Sequence, residues 1–247
     1  AARSHETAER VHASRAARLP RCLRSGRRRS RHDRPGPVRT QGTCVTVVLG
    51  EAPLREADFV AVARSGADVL LSAPAQLRLA QARGDVDEMA ASDRAVYGIS
   101  TGFGALATRH IPPALRAQLQ RSLVRSHAAS SGDEVESEVV RGLMLLRLQT
   151  MATGRTGVRP QTAAAYAALL NADITPVVRE YGSLGCSGDL APLAHAALAV
   201  MGEGDVRMAG RLMPAAEALV AAGLRPVVLA EKEGLGLIQR TDGMLAL

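Results

Sequence analysis

Two phenylalanines, three tyrosines and no tryptophan among 247 residues leave a core that can be built only from Ala, Leu and Val. Sandwiches and barrels draw on β-branched and aromatic side chains, whereas packed helices tolerate an Ala/Leu-rich interior. The expected fold class is therefore mainly α, with a few short strands. An apolar fraction of 47% against 22% charged residues excludes a wholly disordered chain. No run reaches the ~18–20 apolar residues of a membrane-spanning helix, so no membrane partner is expected.

Charge divides the chain. Residues 1–44 hold 12 Arg against Glu6, Glu9 and Asp33, a net of +9, so the total of +7 leaves −2 for the remainder. An Arg-rich stretch with Pro35-Gly36-Pro37 and no hydrophobic period cannot bury enough surface to offset its ordering entropy, and disorder is expected there. Three readings apply to this leader: a transit peptide, an arm for nucleic acid or acidic surfaces, or translated upstream DNA preceding a start near Thr46. The chain opens on Ala, and one Lys stands against 30 Arg, as GC-rich DNA would encode, which favours the third reading. The mildly acidic body has no basic excess, so no nucleic-acid partner is expected of it. Cys22, Cys44 and Cys186 form neither a disulfide framework nor a Cys-x-x-Cys zinc pair. A reduced, cytoplasmic, metal-free protein is the corresponding expectation.

The body, residues 45–230, reads as a short strand over Thr43–Leu49, a helix over 54–64 and a strand at Val69–Leu71. Ser72 then caps a helix to about Ala95, with Pro74 in its first turn and a possible break at Gly84. Further helices are predicted over Pro113–Ser130, Asp133–Thr153, Pro160–Asn171, Asp189–Met201 and Pro214–Ala222. In the second of these, Val135, Val139, Leu143, Leu146 and Thr150 mark one broad face. Residues 202–210 read as a turn or hairpin, and Glu231–Leu247 as a last helix.

One segment stands apart: Gly182-Ser183-Leu184-Gly185-Cys186-Ser187-Gly188-Asp189-Leu190-Ala191-Pro192-Leu193-Ala194-His195. Its glycines admit turns closed to other residues. Asp189 is placed as the N-cap of the helix that follows, whose positive dipole end then faces Ser187. Gly188 has no side chain to hinder its own amide nitrogen. The order Gly-Cys-Ser-Gly excludes the Gly-x-Ser-x-Gly nucleophile elbow. Taken alone, the pattern is more often that of a Gly-rich loop capping a helix.

This segment resembles the prosthetic-group segment of the aromatic amino acid ammonia-lyases. Three more stretches match that family in order: Tyr97-Gly98-Ile99-Ser100-Thr101-Gly102-Phe103-Gly104, Leu119-Gln120-Arg121-Ser122 through Ser126-His127-Ala128-Ala129, and Lys232-Glu233-Gly234-Leu235. The resemblance covers residues 46–247 and is nearest to the histidine-specific members. It implies the ammonia-lyase fold and a methylidene-imidazolone formed from Cys186-Ser187-Gly188. In its formation the Gly188 nitrogen attacks the Cys186 carbonyl, and two dehydrations, one at the closing ring and one at Ser187, leave a dehydroalanine within that ring. The reaction implied is elimination of ammonia from L-histidine to give urocanate, with Tyr97 as base. An ordinary phenol titrates near ~10, so that role requires a lowered pKa. Ser126 and His127 are implied to bind the substrate, Asp189 to support the prosthetic group, and His195 reads as structural. No metal is implied, and the family assembles as homotetramers.

Two departures stand out. Where the family has Asn-Gly after Lys-Glu-Gly-Leu-x-Leu-Ile, this chain has Gln239-Arg240. Gln keeps the substrate-binding amide but moves it by one methylene. The family also continues past residue 247 with the long helices of a central bundle, of which 231–247 would be the start. An isolated chain is accordingly expected to be inactive. Alternatives are an ammonia-lyase or aminomutase acting on tyrosine or phenylalanine, and a non-catalytic homologue.

Overall fold

Strand β1 (Thr46–Leu49) and strand β2 (Asp68–Leu71) pair in parallel, Thr46 opposite Asp68 and Leu49 opposite Leu71. The crossover that a parallel pair needs is made by helix α1 (Glu56–Ser65), which ends at Gly66 in the left-handed conformation. Alternation places Val47, Leu49, Val69 and Leu71 in the core and leaves Val48 and Leu70 outside. The computed structural model describes residues 45–184 and 188–247, which fall in one compact unit. The leader, Thr43, Cys44 and the Gly185-Cys186-Ser187 triplet lie outside the described residues.

Helix α2 (Ala73–Ala91) begins as its sequence dictates, with the Ser72 hydroxyl accepting from the Ala75 amide and proline in the first turn. It runs unbroken through Gly84 and stops short of Ala95. After an irregular stretch with a single 3-10 turn at Gly104–Leu106 come helix α3 (Pro113–His127), strand β3 (Ser131–Glu134), helix α4 (Ser137–Ala152) and helix α5 (Pro160–Asn171). The helix expected over Asp133–Thr153 thus starts four residues late. Its first residues pair instead with strand β5 (Arg179–Tyr181), Ser131 opposite Tyr181. The single apolar face expected for α4 is also too narrow. Val140–Leu145, Arg147, Leu148, Met151 and Ala152 are buried, whereas Val139, Leu146 and Thr150 are only half-buried. A helix buried nearly all round has no face for a periodicity to mark.

Strand β4 (Ile174–Pro176) joins the hairpin of β6 (Asp205–Met208) and β7 (Arg211–Pro214) in a three-stranded antiparallel sheet, order β4-β6-β7. The hairpin turns on Ala209 and Gly210, both with positive φ (48° and 78°), as the strand twist requires of a two-residue turn. Helix α6 (Leu190–Val200) runs through the core, and α7 (Ala215–Ala221) closes the sheet. The predominantly helical class is as the sequence predicts. Among the described residues no helix is long and apolar enough to cross a membrane.

The last helix expected, Glu231–Leu247, is two: α8 (Glu233–Ile238) and α9 (Asp242–Ala246), with Gln239 extended between them. Both pack into the body, α8 on α3 and α6, α9 along α4. What fixes α8 is Glu233, a fully buried carboxylate. It accepts from both Arg159 Nη2 (2.7 Å) and Arg159 Nε (3.1 Å), from the Thr162 hydroxyl (2.6 Å), and from the amides of Arg159 and Ala230 (2.9 and 2.8 Å). Removing one partner of such a pair leaves an uncompensated charge or a row of orphaned donors. Glu233→Ala is expected to lower stability by about 3–5 kcal/mol, read as a lower urea midpoint.

Candidate active site

Gly188 carries φ +122°, a region closed to residues with a side chain. A Cβ there would stand 2.4 Å from the Arg240 carbonyl oxygen, so only glycine lets the segment after α8 lie this close. The same carbonyl accepts the Asp189 amide at 2.7 Å. Asp189, fully buried, sits at the N-cap position as expected but does not cap its own helix. Its carboxylate faces outward from α6, taking the Ser183 hydroxyl on Oδ1 (2.6 Å) and the Met244 amide on Oδ2 (2.9 Å). The Gly188-Asp189 pair is therefore held by the residues 240–244 and by Ser183, a partner its sequence position does not reveal.

Gln239 and Arg240 reach this arrangement through their backbones. The Gln239 carbonyl accepts from Arg147 Nη1 at 2.8 Å, and both side chains at 239 and 240 are exposed. Arg147, fully buried on α4, also lies 3.5 Å from Asp242. Burial lowers the Arg147 pKa and raises that of Asp242, each partly offset by the charge of the other. An arginine amid the apolar run of α4 was the available signal for this clamp.

Tyr97 lies in the irregular stretch before α3. Its ring meets Phe103 edge-on at 5.8 Å, and its hydroxyl, 3.4 Å from the Gly104 amide, is in a half-exposed side chain. Gly98 (φ +71°) permits the stretch to pass against α8, since a Cβ would meet Leu235 Cδ2 at 2.9 Å. Ser126 and His127 end helix α3. His127 Nδ1 stands 2.9 Å from the Leu123 carbonyl and 3.0 Å from Ser126 Oγ, whose proton goes to that carbonyl as well (2.8 Å). A carbonyl only accepts, so Nδ1 carries the proton and Nε2 is the acceptor of the neutral ring.

His195 has the structural surroundings its position suggested. Its Nε2 receives the Ser130 amide (3.3 Å) and hydroxyl (2.8 Å), while Ser130 Oγ accepts from the Arg179 amide (3.2 Å). The ring thereby ties α6 to the end of α3 and to β5. Among the described residues no group of three or more His, Cys, Asp or Glu is arranged to hold a metal ion.

These elements define a class. Residues 54–247 match the aromatic amino acid lyase family model, and the chain belongs to that family. It is 60% identical over 203 residues to the histidine ammonia-lyase of Streptomyces coelicolor, covering 82% of this chain and 40% of that protein. Solved structures with the same fold include ergothionase from Treponema denticola (TM-score 0.79, 32% identity, 81% of this chain and 40% of that one). Tyrosine aminomutase from Streptomyces globisporus also superposes (TM-score 0.77, 35% identity, 82% and 38%). The chain thus spans about 40% of the length of the relatives it matches.

Two outcomes follow from this geometry. Gly188→Ala, strained at φ +122° and in collision with the Arg240 carbonyl, is expected to cost at least about 1–3 kcal/mol. Arg240→Gly, which removes only an exposed side chain, is expected to keep the Asp189 amide protected; urea melts with hydrogen exchange would check both. Burial and the nearby Arg179 charge hold the His195 pKa below the ordinary value of 6.5. The unfolded chain therefore binds the proton first, and stability falls as pH drops through 6.5 toward the lowered native value. Urea midpoints at pH 7.5 and 5.5 should show that loss, and His195→Gln should reduce it.

Proposed function

We propose that this chain is part of a histidine ammonia-lyase, eliminating ammonia from L-histidine to give urocanate. The observation that carries the reading is the intact Cys186-Ser187-Gly188-Asp189 segment in a chain 60% identical to a histidine ammonia-lyase. The described residues fit the methylidene-imidazolone implied by that segment. Position 188 has room only for glycine, and the Asp189 backbone and carboxylate are bonded on both sides. Cys186, Ser187 and Gly188 would form the group, with Asp189 as its support. It supplies an electrophile that makes the amine a workable leaving group, with no metal.

The chain's own side chains supply the remaining chemistry. Tyr97 removes the β-proton, and its half-exposed hydroxyl is free to reach a substrate that enters from solvent. His127, held by Leu123 through Nδ1, presents Nε2 as an acceptor for the imidazole N–H of the substrate, with Ser126 beside it. This polarity favours histidine over the phenylalanine or tyrosine of related lyases and aminomutases. Gln239 would reach substrate with its side-chain amide from an extended, exposed position at the end of α8. The working enzyme would be a cytoplasmic homotetramer, with 231–247 leading into its central bundle. No nucleic acid or membrane takes part.

The mass of the tryptic peptide Glu180–Arg207 tests the reading. Loss of two waters is expected in the wild-type chain and none in Ser187→Ala; a full-mass wild-type peptide would overturn self-formation of the group. The reading further implies that the isolated chain yields no urocanate, since it spans 40% of the relative's length. Steady production of urocanate by the isolated chain would refute that.

A further inference from the structure

Gln120 lies on α3 two turns before Ser126-His127 and is fully buried, although glutamine is a residue ordinarily found at the surface. Its amide is used at both ends. Nε2 donates to the Gly98 carbonyl at 3.3 Å, and Oε1 accepts from the amides of Gly234 (3.0 Å) and Leu235 (3.4 Å). The orientation of the amide is fixed by its partners, because two backbone N–H groups can be met only by oxygen and a carbonyl only by nitrogen. Gly98 immediately follows Tyr97, and Gly234 and Leu235 form the first turn of α8.

We propose that Gln120 is a positioning residue that locks the Tyr97 loop to the first turn of α8. Its weight in the mechanism rests on the reading of Tyr97 as the base. The far end of α8 passes through Gln239, held by Arg147, to the Arg240 carbonyl on the Asp189 amide. One side chain on α3 thus bonds directly to the loop that carries Tyr97 and to the helix that leads to the Gly188 segment. Neither common substitute can serve both. Leu or Met would leave the Gly98 carbonyl and two amides buried without partners, and an ionised Glu accepts but cannot donate. Direct contact adds to the bond, since Leu235 Cδ2 lies only 2.9 Å from where a Cβ on Gly98 would stand.

The chain contains three tyrosines and no tryptophan, so 3-fluorotyrosine labelling gives one fluorine signal each for Tyr97, Tyr166 and Tyr181. Tyr97→Phe assigns the signal at 97, and Tyr166, fully buried in the core, reports on general packing. In Gln120→Met the Tyr97 signal is expected to shift and broaden while Tyr166 stays in place. Hydrogen exchange of peptides covering 97–104 and 233–238 is expected to rise about tenfold in both, the effect of losing one buried hydrogen bond of about 1.4 kcal/mol. Gly98→Ala, which pushes the loop off α8 and leaves Gln120 in place, is expected to move the Tyr97 signal in the same sense and to speed exchange in 233–238. That variant also keeps the test open should Gln120→Met fail to fold.

Faster exchange confined to 233–238, with the Tyr97 signal unmoved, would show that Gln120 only caps α8 and would overturn the proposal. A Tyr166 signal displaced together with Tyr97 would overturn it as well, by making Gln120 an ordinary core residue. The lyase reading stands or falls separately, on the mass of Glu180–Arg207: a coupled loop beside a full-mass peptide would keep the mechanical link and remove its catalytic meaning.

Discussion

A single buried carboxylate, Glu233, fixes the helix on which the candidate site depends. Through Arg159, Thr162 and two backbone amides it pins the entry of α8 to the start of α5 and to the extended segment before it. The entry is strained, since Lys232 takes a left-handed φ of 72° that a non-glycine residue adopts at a cost. Such a conformation persists only where its neighbours over-determine it, and four distinct donor groups on the adjacent carboxylate do so. From that fixed start, a helix of six residues carries the chain past Gly98 and Gln120 to the Arg240 carbonyl beside Gly188. A shift of α8 would displace both ends of the site together.

Residues 239 and 240 support the Gly188-Asp189 arrangement through backbone atoms, which is how the chain accommodates its departure from the family's pattern at Gln239-Arg240. The Gln239 carbonyl takes the Arg147 guanidinium, and the Arg240 carbonyl takes the Asp189 amide. Neither contact depends on the side chain that differs. The bulk and charge of Arg240 point to solvent, so an arginine where the family has glycine is sterically mild in this fold. What cannot vary is the residue facing that carbonyl, Gly188, whose missing side chain is the space the carbonyl fills.

Much of this was legible in the sequence. The Ser72 cap, the β2 strand, the described part of the β1 strand and the α5 boundaries follow local rules of capping and alternation, and appear where those rules put them within a residue. Strands β3, β4 and β5 were not foreseen. They are three or four residues long, and β3, Ser-Gly-Asp-Glu, has no β propensity; pairing across the fold makes it a strand. The break between α8 and α9 was equally silent, because no Pro or Gly marks Gln239-Arg240-Thr241. Tertiary contacts impose it: the carbonyls at 239 and 240 turn outward from the helix to meet Arg147 and Asp189.

The same contrast separates the parts of the candidate site. Gly188, Asp189, Tyr97, Ser126 and His127 stand in short glycine- or polar-rich stretches that a sequence displays openly. Gln120 and Glu233 also fall in stretches that match the family, but their roles, like that of Arg147, depend on partners that, Ala230 apart, lie 22 to 115 residues away. Arg147 alone carries a local sign, a charged side chain in an apolar run; Gln120 and Glu233 stand beside other polar residues. Burying Arg147 beside Asp242 adds little net stability, since desolvation offsets the attraction. Tyr166 Oη and Arg147 Nε, both buried, lack hydrogen-bond partners among the described residues, so the cluster is not optimised for bonding energy. What it does specify is register. A guanidinium in an Ala/Leu core can sit only where a carbonyl and a carboxylate meet it, and that requirement places residues 239–242 against α4 in a way that interchangeable apolar contacts could not.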